Sequence, residues 1–197
     1  MGPERLDGYS SQQIASALVA CDRPGQVLPS HLRRLVGAGR FAGIAKTISY
    51  RVRDQPLTAH DTPAAARGAL SAILAREAMI SRGDVVVIGG NTSPPPACGL
   101  MGSLFATLYA NLGAVGVITD GYVRDVADLR ESGLQVIAAG TCPTNALGRI
   151  TTSMAEPVSI GTAVIAPGDW VIADDEGVVC VPAAVLPAVC ERLVALR

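Results

Sequence analysis

The chain has 197 residues, of which 49% are hydrophobic and 17% charged, with a net charge of −1. Those values fit one domain spanning 1–197 with a large core, and they exclude a disordered chain. Near-neutral charge, no basic stripe and only four Tyr, two Phe and one Trp leave little with which to grip and stack a nucleic acid.

The N-terminal MGPERLDGYSSQQ has no apolar signal core. No apolar run approaches the ~20 residues of a membrane helix, so a cytoplasmic protein is expected. Residues 10–22 read as a helix, with Ser10 or Ser11 as its cap and Ile14, Ala17, Leu18 and Cys21 on one face. Residues 22–29 hold two prolines and a glycine and read as a loop. Residues 41–52 alternate and are partly β-branched, which predicts a strand. Asp61-Thr62-Pro63 opens a second helix, running to about Ile80.

A turn at residues 81–84 feeds Val85-Val86-Val87-Ile88, the continuous apolar run of a strand buried on both faces. It ends at Gly89-Gly90-Asn91-Thr92, before Pro94-Pro95-Pro96. Gly99-Leu100-Met101-Gly102-Ser103 reads as a flexible loop entering the helix LFATLYANL, which Gly113 stops. Residues 115–119 form another buried strand, turned by Asp120-Gly121. VADLRESG (126–133) is a short helix and residues 136–139 a strand. After a loop near Cys142-Pro143-Thr144, residues 158–182 become short β segments, cut by turns at Pro167-Gly168-Asp169 and Asp175-Glu176-Gly177. A last helix covers about 183–196. The order predicts an α/β domain with layered sheets.

Five cysteines at 21, 98, 142, 180 and 190 form no CxxC pair and read as reduced thiols. His31 and His60 lie far apart, outside any zinc-binding spacing. The glycines of residues 37–43 lack the GxGxxG spacing of a dinucleotide loop. Asp174-Asp175-Glu176 reads as a hairpin turn. Two features fall at the carboxyl ends of buried strands, where open α/β sheets place ligands. The first is the glycine loop, with Ser103 as N-cap and the amides of Leu104 and Phe105 facing an anion. An ordinary capped helix has the same pattern. The second is Thr119 to Asp125, where Arg124 is a planar fork for a carboxylate and Asp125 a hard oxygen donor for Mg²⁺ or Mn²⁺. A surface turn with a local ion pair is the plainer reading of that segment.

GDVVVIGG (83–90), CGLMGSLFATL (98–108) and GAVGVITDGYVRD (113–125) resemble consecutive motifs of the RraA-like family. LRESGLQVIAAGTCP (129–143) and VSIGTAVIAPGDWVIADDEGVVCVP (158–182) continue the resemblance, in order and with matching spacing, over about residues 10–182. The resemblance implies a layered β/β/α swivelling-type domain assembled as a ring-shaped homotrimer or hexamer. It also implies a divalent-metal-dependent lyase acting on a small 2-oxo acid. The family includes class II pyruvate aldolases that split 4-hydroxy-4-methyl-2-oxoglutarate or 4-carboxy-4-hydroxy-2-oxoadipate and decarboxylate oxaloacetate. It also includes regulators of RNA-degrading enzymes, so a non-catalytic, protein-binding role is the alternative.

Carried over by position, Arg124 is the catalytic residue, holding the 2-oxo acid carboxylate or keto oxygen. Asp125 holds Mg²⁺ or Mn²⁺, and Gly102, Ser103, Leu104 and Phe105 line the substrate. Two features depart from the aldolase pattern. Ser103 stands where the aldolases have an acid twenty-one positions before the arginine. The aldolases also carry a C-terminal segment with a glutamate, which Glu191 matches poorly. The regulators lack the aspartate after the arginine, whereas this chain has Asp125.

Overall fold

A computed structural model describes residues 6, 8–55, 58, 63, 64, 67, 68, 71 and 79–195. Helix α1 (Ser11–Ala20) starts where the sequence places it, because Ser10 and Gln13 cap each other: the Gln13 amide donates to the Ser10 hydroxyl and the Ser10 amide to the Gln13 side chain. Strands β1 (Arg33–Val36) and β2 (Phe41–Val52) follow. The helix expected over 61–80 falls mostly outside the described residues, although 63, 64, 67, 68 and 71 are helical.

The chain continues through β3 (Val85–Gly89), β4 (Gly99–Met101) and α2 (Ser103–Leu112), then β5 (Gly116–Thr119), β6 (Tyr122–Val123) and α3 (Val126–Glu131). Next come β7 (Gln135–Ala138), β8 (Gly140–Thr141), β9 (Ile150–Met154), β10 (Val158–Ile160) and β11 (Ala163–Ile165). Strands β12 (Trp170–Ala173) and β13 (Val178–Val181), a 3₁₀ turn and α4 (Leu186–Ala195) complete it.

Seven strands run in the order β1-β7-β5-β3-β2-β12-β13, and β9 adds to β2. The long β2 serves three partners. Its first residues pair antiparallel with β12, its middle runs parallel to β3, and its end pairs antiparallel with β9. The sheet therefore curls, as one strand passes from one partner set to another. Strands β3, β5 and β7 are mutually parallel, and their carboxyl ends point to one edge.

The apolar run of β3 is explained by two cores. Val86 and Ile88 face Tyr109, Ala106 and Leu129 in the layer of α2 and α3. Val85 and Val87 face Val158, Ile160 and Ile165 of the β10–β11 hairpin. Alternate side chains of a strand point to opposite faces, so a strand covered on both sides must be apolar throughout. A third core joins α1 and α4 to Trp170, Ile172 and Val179. The result is the mixed α/β layered domain of the sequence reading. Among the described residues no helix is long and apolar enough to cross a membrane.

One expectation is corrected. Residues 99–101, read as flexible loop, form the buried strand β4, in a small parallel sheet β4-β6-β8 beyond the main one. Burial and ladder bonds to distant strands overrode the glycine-rich composition.

Candidate functional site

The small sheet builds the site. Strand β6 lies between β4 and β8 and parallel to both. Residues just after β6 therefore emerge beside residues just after β4, at the head of α2. Arg124 follows β6 directly, and its amide donates to the Met101 carbonyl at 2.9 Å. Asp125 is left-handed, with φ 56° and ψ 43°, and heads α3. This conformation is uncommon outside glycine, though Asp is among the residues that adopt it most readily.

The Asp125 carboxylate reaches the start of α2. Its Oδ2 accepts the Ser103 amide at 3.1 Å and the Ser103 hydroxyl at 3.2 Å. Arg124 Nε stands 3.6 Å from the same oxygen. The side chains are 38% exposed for Arg124 and 28% for Asp125, so the pair is open enough to meet a ligand. Such a half-exposed ion pair adds little to stability.

Glycine makes this approach possible. A Cβ on Gly102 would lie 2.5 Å from Asp125 Oδ2 and 3.0 Å from both Cγ and Nε of Arg124. A Cβ on Gly99 would lie 3.0 Å from Arg124 Cβ and 3.1 Å from the Cys142 carbonyl. Gly102 has an extended backbone, φ −142°, so space rather than dihedral freedom requires glycine there.

The structure thus brings Gly102, Ser103, Arg124 and Asp125 into one cluster, with Leu104 and Phe105 in the first turn of α2 behind it. The capping detail differs from expectation. Gly102, not Ser103, is the N-cap and offers no side chain, while Ser103 is the first helical residue. The Ser103 hydroxyl donates to Asp125 instead of accepting from the helix. The anion at the positive end of α2 is the protein's own Asp125 carboxylate, and it takes the Ser103 amide. The first backbone bond of the helix runs from the Ala106 amide to the Gly102 carbonyl.

Sequence reasoning missed Asp120, taken as a plain turn residue after β5. It is 6% exposed and accepts the Asn91 amide at 2.7 Å and the Gly90 amide at 3.2 Å, both through Oδ2. The Tyr50 hydroxyl, itself 2.9 Å from Thr92 Oγ1, completes the cluster. Burial pushes the Asp120 carboxyl above its ordinary range, against the pull of the Gly90 and Asn91 amides. Its signal was an acid at the end of an apolar strand run, where a buried carboxylate must find donors. Burial likewise raises the Cys98 thiol, opposed by the charge of Arg149.

The other candidates fall away from this cluster. His31 is exposed, and His60 lies outside the described residues. Residues 174–177 form the turn between β12 and β13, as expected, but Asp174 does more. It accepts the Ser11 amide at 2.7 Å and the Ser11 hydroxyl at 2.6 Å, anchoring α1 to the hairpin. Among the described residues no group of three or more His, Cys, Asp or Glu is placed to hold a metal.

Comparison with known proteins bears on the family and the fold. The family model described as RraA-like, Aldolase/RraA, matches residues 13–180. A Burkholderia multivorans protein named "Putative 4-hydroxy-4-methyl-2-oxoglutarate aldolase" is 35% identical over 153 residues, 78% of this chain and 82% of its own. Among solved structures, a chain described among novel cellulases from microbes associated with the gut ecosystem has TM-score 0.84 at 18% identity, over 100% of this chain and 86% of its own. Streptomyces coelicolor RraAS2, described as an unusual member of the RNase ES inhibitor RraA protein family, has TM-score 0.77 at 22% identity, over 98% and 90%. At such identities the likeness is one of fold.

Proposed function

Since this chain belongs to the RraA-like family, we propose that it is a divalent-metal-dependent lyase acting on a small 2-oxo acid. Its reactions would be oxaloacetate decarboxylation, retro-aldol cleavage of a 4-hydroxy-2-oxo diacid, or both. The observation that carries the reading is the Arg124–Asp125 pair laid against Gly102 and Ser103 at the head of α2. The name borne by the Burkholderia multivorans relative supports the aldolase part.

The residues present fit a Mg²⁺ or Mn²⁺ ion held mainly by water. Asp125 offers a hard oxygen: its Oδ2 is engaged by Ser103, while no described residue donates to its Oδ1. Mg²⁺ commonly takes one or two carboxylates and completes its shell with water and substrate oxygens. Asp125 would hold the ion, which would supply Lewis-acid polarisation of the keto and carboxylate oxygens. Arg124 would grip the substrate carboxylate and stabilise the negative charge that develops on the enolate oxygen. For oxaloacetate, the bond from C3 to the departing carboxylate breaks. Its electron pair becomes the enolate of pyruvate, carbon dioxide leaves, and a proton from water adds at C3.

Ser103 tilts the balance between the two reactions. Retro-aldol cleavage needs a base for the substrate hydroxyl, which a serine hydroxyl already donating to Asp125 does not provide. Decarboxylation needs no such base. The same residue favours the second reading, a non-catalytic protein-binding member of the family. A ring-shaped homotrimer or hexamer is proposed on the resemblance, and light scattering on a sizing column tests it.

The test of function is pyruvate release from oxaloacetate with Mg²⁺, with Mn²⁺ and with a chelator. Metal-dependent turnover abolished in Arg124→Ala and Asp125→Ala is expected. Pyruvate release no faster than the protein-free rate at the same metal concentration, identical in wild type and both variants, would leave the regulator reading.

A further inference from the structure

Ser103, at the head of α2, makes two bonds to Asp125. Its amide and its hydroxyl converge on one oxygen, Asp125 Oδ2, at 3.1 and 3.2 Å. Arg124 Nε approaches that oxygen too, at 3.6 Å. Helix capping alone would need only the amide. The added hydroxyl fixes the plane of the carboxylate, because two donors from one residue restrain the same lone-pair region. The glycine at 102 leaves room for this approach, since any Cβ there would press on Oδ2. The opposite oxygen, Oδ1, is left without a donor from the described residues.

We infer that Ser103 is a positioning residue that locks Asp125 Oδ2 so that Oδ1 alone is presented to a divalent cation. The inference rests on the metal-dependent reading above. It assigns the serine a function in this chain in its own right. A carboxylate held through one oxygen keeps the other aimed without losing rotational freedom on binding. Groups that orient a ligating side chain in this way commonly change metal affinity by about 10–100-fold when removed. The hydroxyl is one of two donors here, so the lower end of that range is expected for its loss.

The experiment is titration of the full chain with Mn²⁺, following free Mn²⁺ by electron paramagnetic resonance, without substrate. Wild type, Ser103→Ala and Ser103→Thr are compared, and thermal unfolding is recorded for each. Ser103→Ala should weaken Mn²⁺ binding about tenfold, with the titration run well below its unfolding temperature. Ser103→Thr, which keeps the hydroxyl, should return affinity to near the wild-type value. A purely structural serine would lower the unfolding temperature and leave the affinity unchanged. Wild-type binding with Ser103→Ala unchanged overturns the inference and leaves the metal reading standing. Wild type that binds no Mn²⁺ overturns both. A Ser103→Ala protein too unstable to titrate shifts the decision to Ser103→Cys, whose weak thiol donor should again lower affinity; wild-type affinity in that variant overturns the inference.

Discussion

Gly102→Ala probes the close approach on which the site depends. The added Cβ would sit 2.5 Å from Asp125 Oδ2 and 3.0 Å from Arg124 Cγ and Nε. The backbone at 102 is extended, so alanine brings no dihedral strain and the whole effect comes from crowding. Relief requires the carboxylate and the guanidinium to move outward by several tenths of an ångström. That movement lengthens both Ser103 bonds to Asp125. Overpacking of this kind destabilises by about 1–3 kcal/mol. At about 2–4 °C per kcal/mol for a chain of this size, the unfolding temperature should drop by about 2–12 °C. Activity should suffer more. Displacing a catalytic group by about 1 Å can cost about 10²-fold in rate, so oxaloacetate turnover is expected to fall by about 10–100-fold. Gly25→Ala is the control, because its Cβ would meet only the Thr162 carbonyl at 3.9 Å. Differential scanning calorimetry and a coupled pyruvate assay read both effects. Wild-type turnover and stability in Gly102→Ala would show that the pair does not lie against the loop, and the site as described would be wrong.

Arg124→Lys keeps the charge but loses the planar fork; kcat/KM on oxaloacetate should fall by about 10²-fold, with the unfolding temperature near wild type. Two carboxylates should bend the pH–stability curve in opposite directions. Burial pushes Asp174 up, but the Ser11 hydroxyl and amide and the Glu176 and Gly177 amides outweigh it and hold the group below the ordinary range. Its contribution is present above the unfolded value of about 4 and lost as pH falls through the lower folded value. The stability advantage of wild type over Asp174→Asn in urea unfolding should therefore shrink on acidification. Asp120 is raised by burial, so its contribution is complete below about 4 and lost as pH rises through the raised folded value. Wild type minus Asp120→Asn should thus decline from acid towards neutral pH.

The parts of the fold that were legible in the sequence are those whose signal is local. Val85–Ile88 announces itself because both faces of β3 are covered, and α1 because Ser10 and Gln13 form a capping box three residues apart. Strands β4, β6 and β8 were invisible for the opposite reason. Runs of two or three residues show no period, and what makes them strands is pairing with one another across 18 to 23 positions of chain. The site followed the same division. Arg124 and Asp125 stood out by residue type, and the family resemblance aligned Ser103 with a functional position. That Ser103 donates to Asp125, and that Gly102 caps the helix, depends on β4 and β6 lying side by side. Asp120 escaped because its partners, Gly90 and Asn91, follow a different strand.

Asp125 does two things at once: it anchors the head of α2 and offers an oxygen outward. Replacing it in two ways separates them. In Asp125→Asn the amide oxygen can still accept from the Ser103 amide and hydroxyl, and asparagine tolerates the left-handed backbone at φ 56°. Stability should stay within about 1 kcal/mol of wild type. Asp125→Ala loses the acceptor, and the lost bonds to a partly exposed carboxylate cost about 1–2 kcal/mol. Aspartate already carries a Cβ in the left-handed region, so alanine adds only the difference between the two residues there. Chemistry should not divide in this way. A neutral amide is a poor ligand for Mg²⁺, so both variants should lose metal-dependent turnover. Urea unfolding with the pyruvate assay on the same preparations decides the matter. Asp125→Asn as unstable as Asp125→Ala would remove the anchoring role, and Asp125→Asn with wild-type metal-dependent turnover would remove the carboxylate from the chemistry. The expected pattern, a stable but inactive amide beside an unstable and inactive alanine, requires one carboxylate to serve the scaffold through Oδ2 and the reaction through Oδ1.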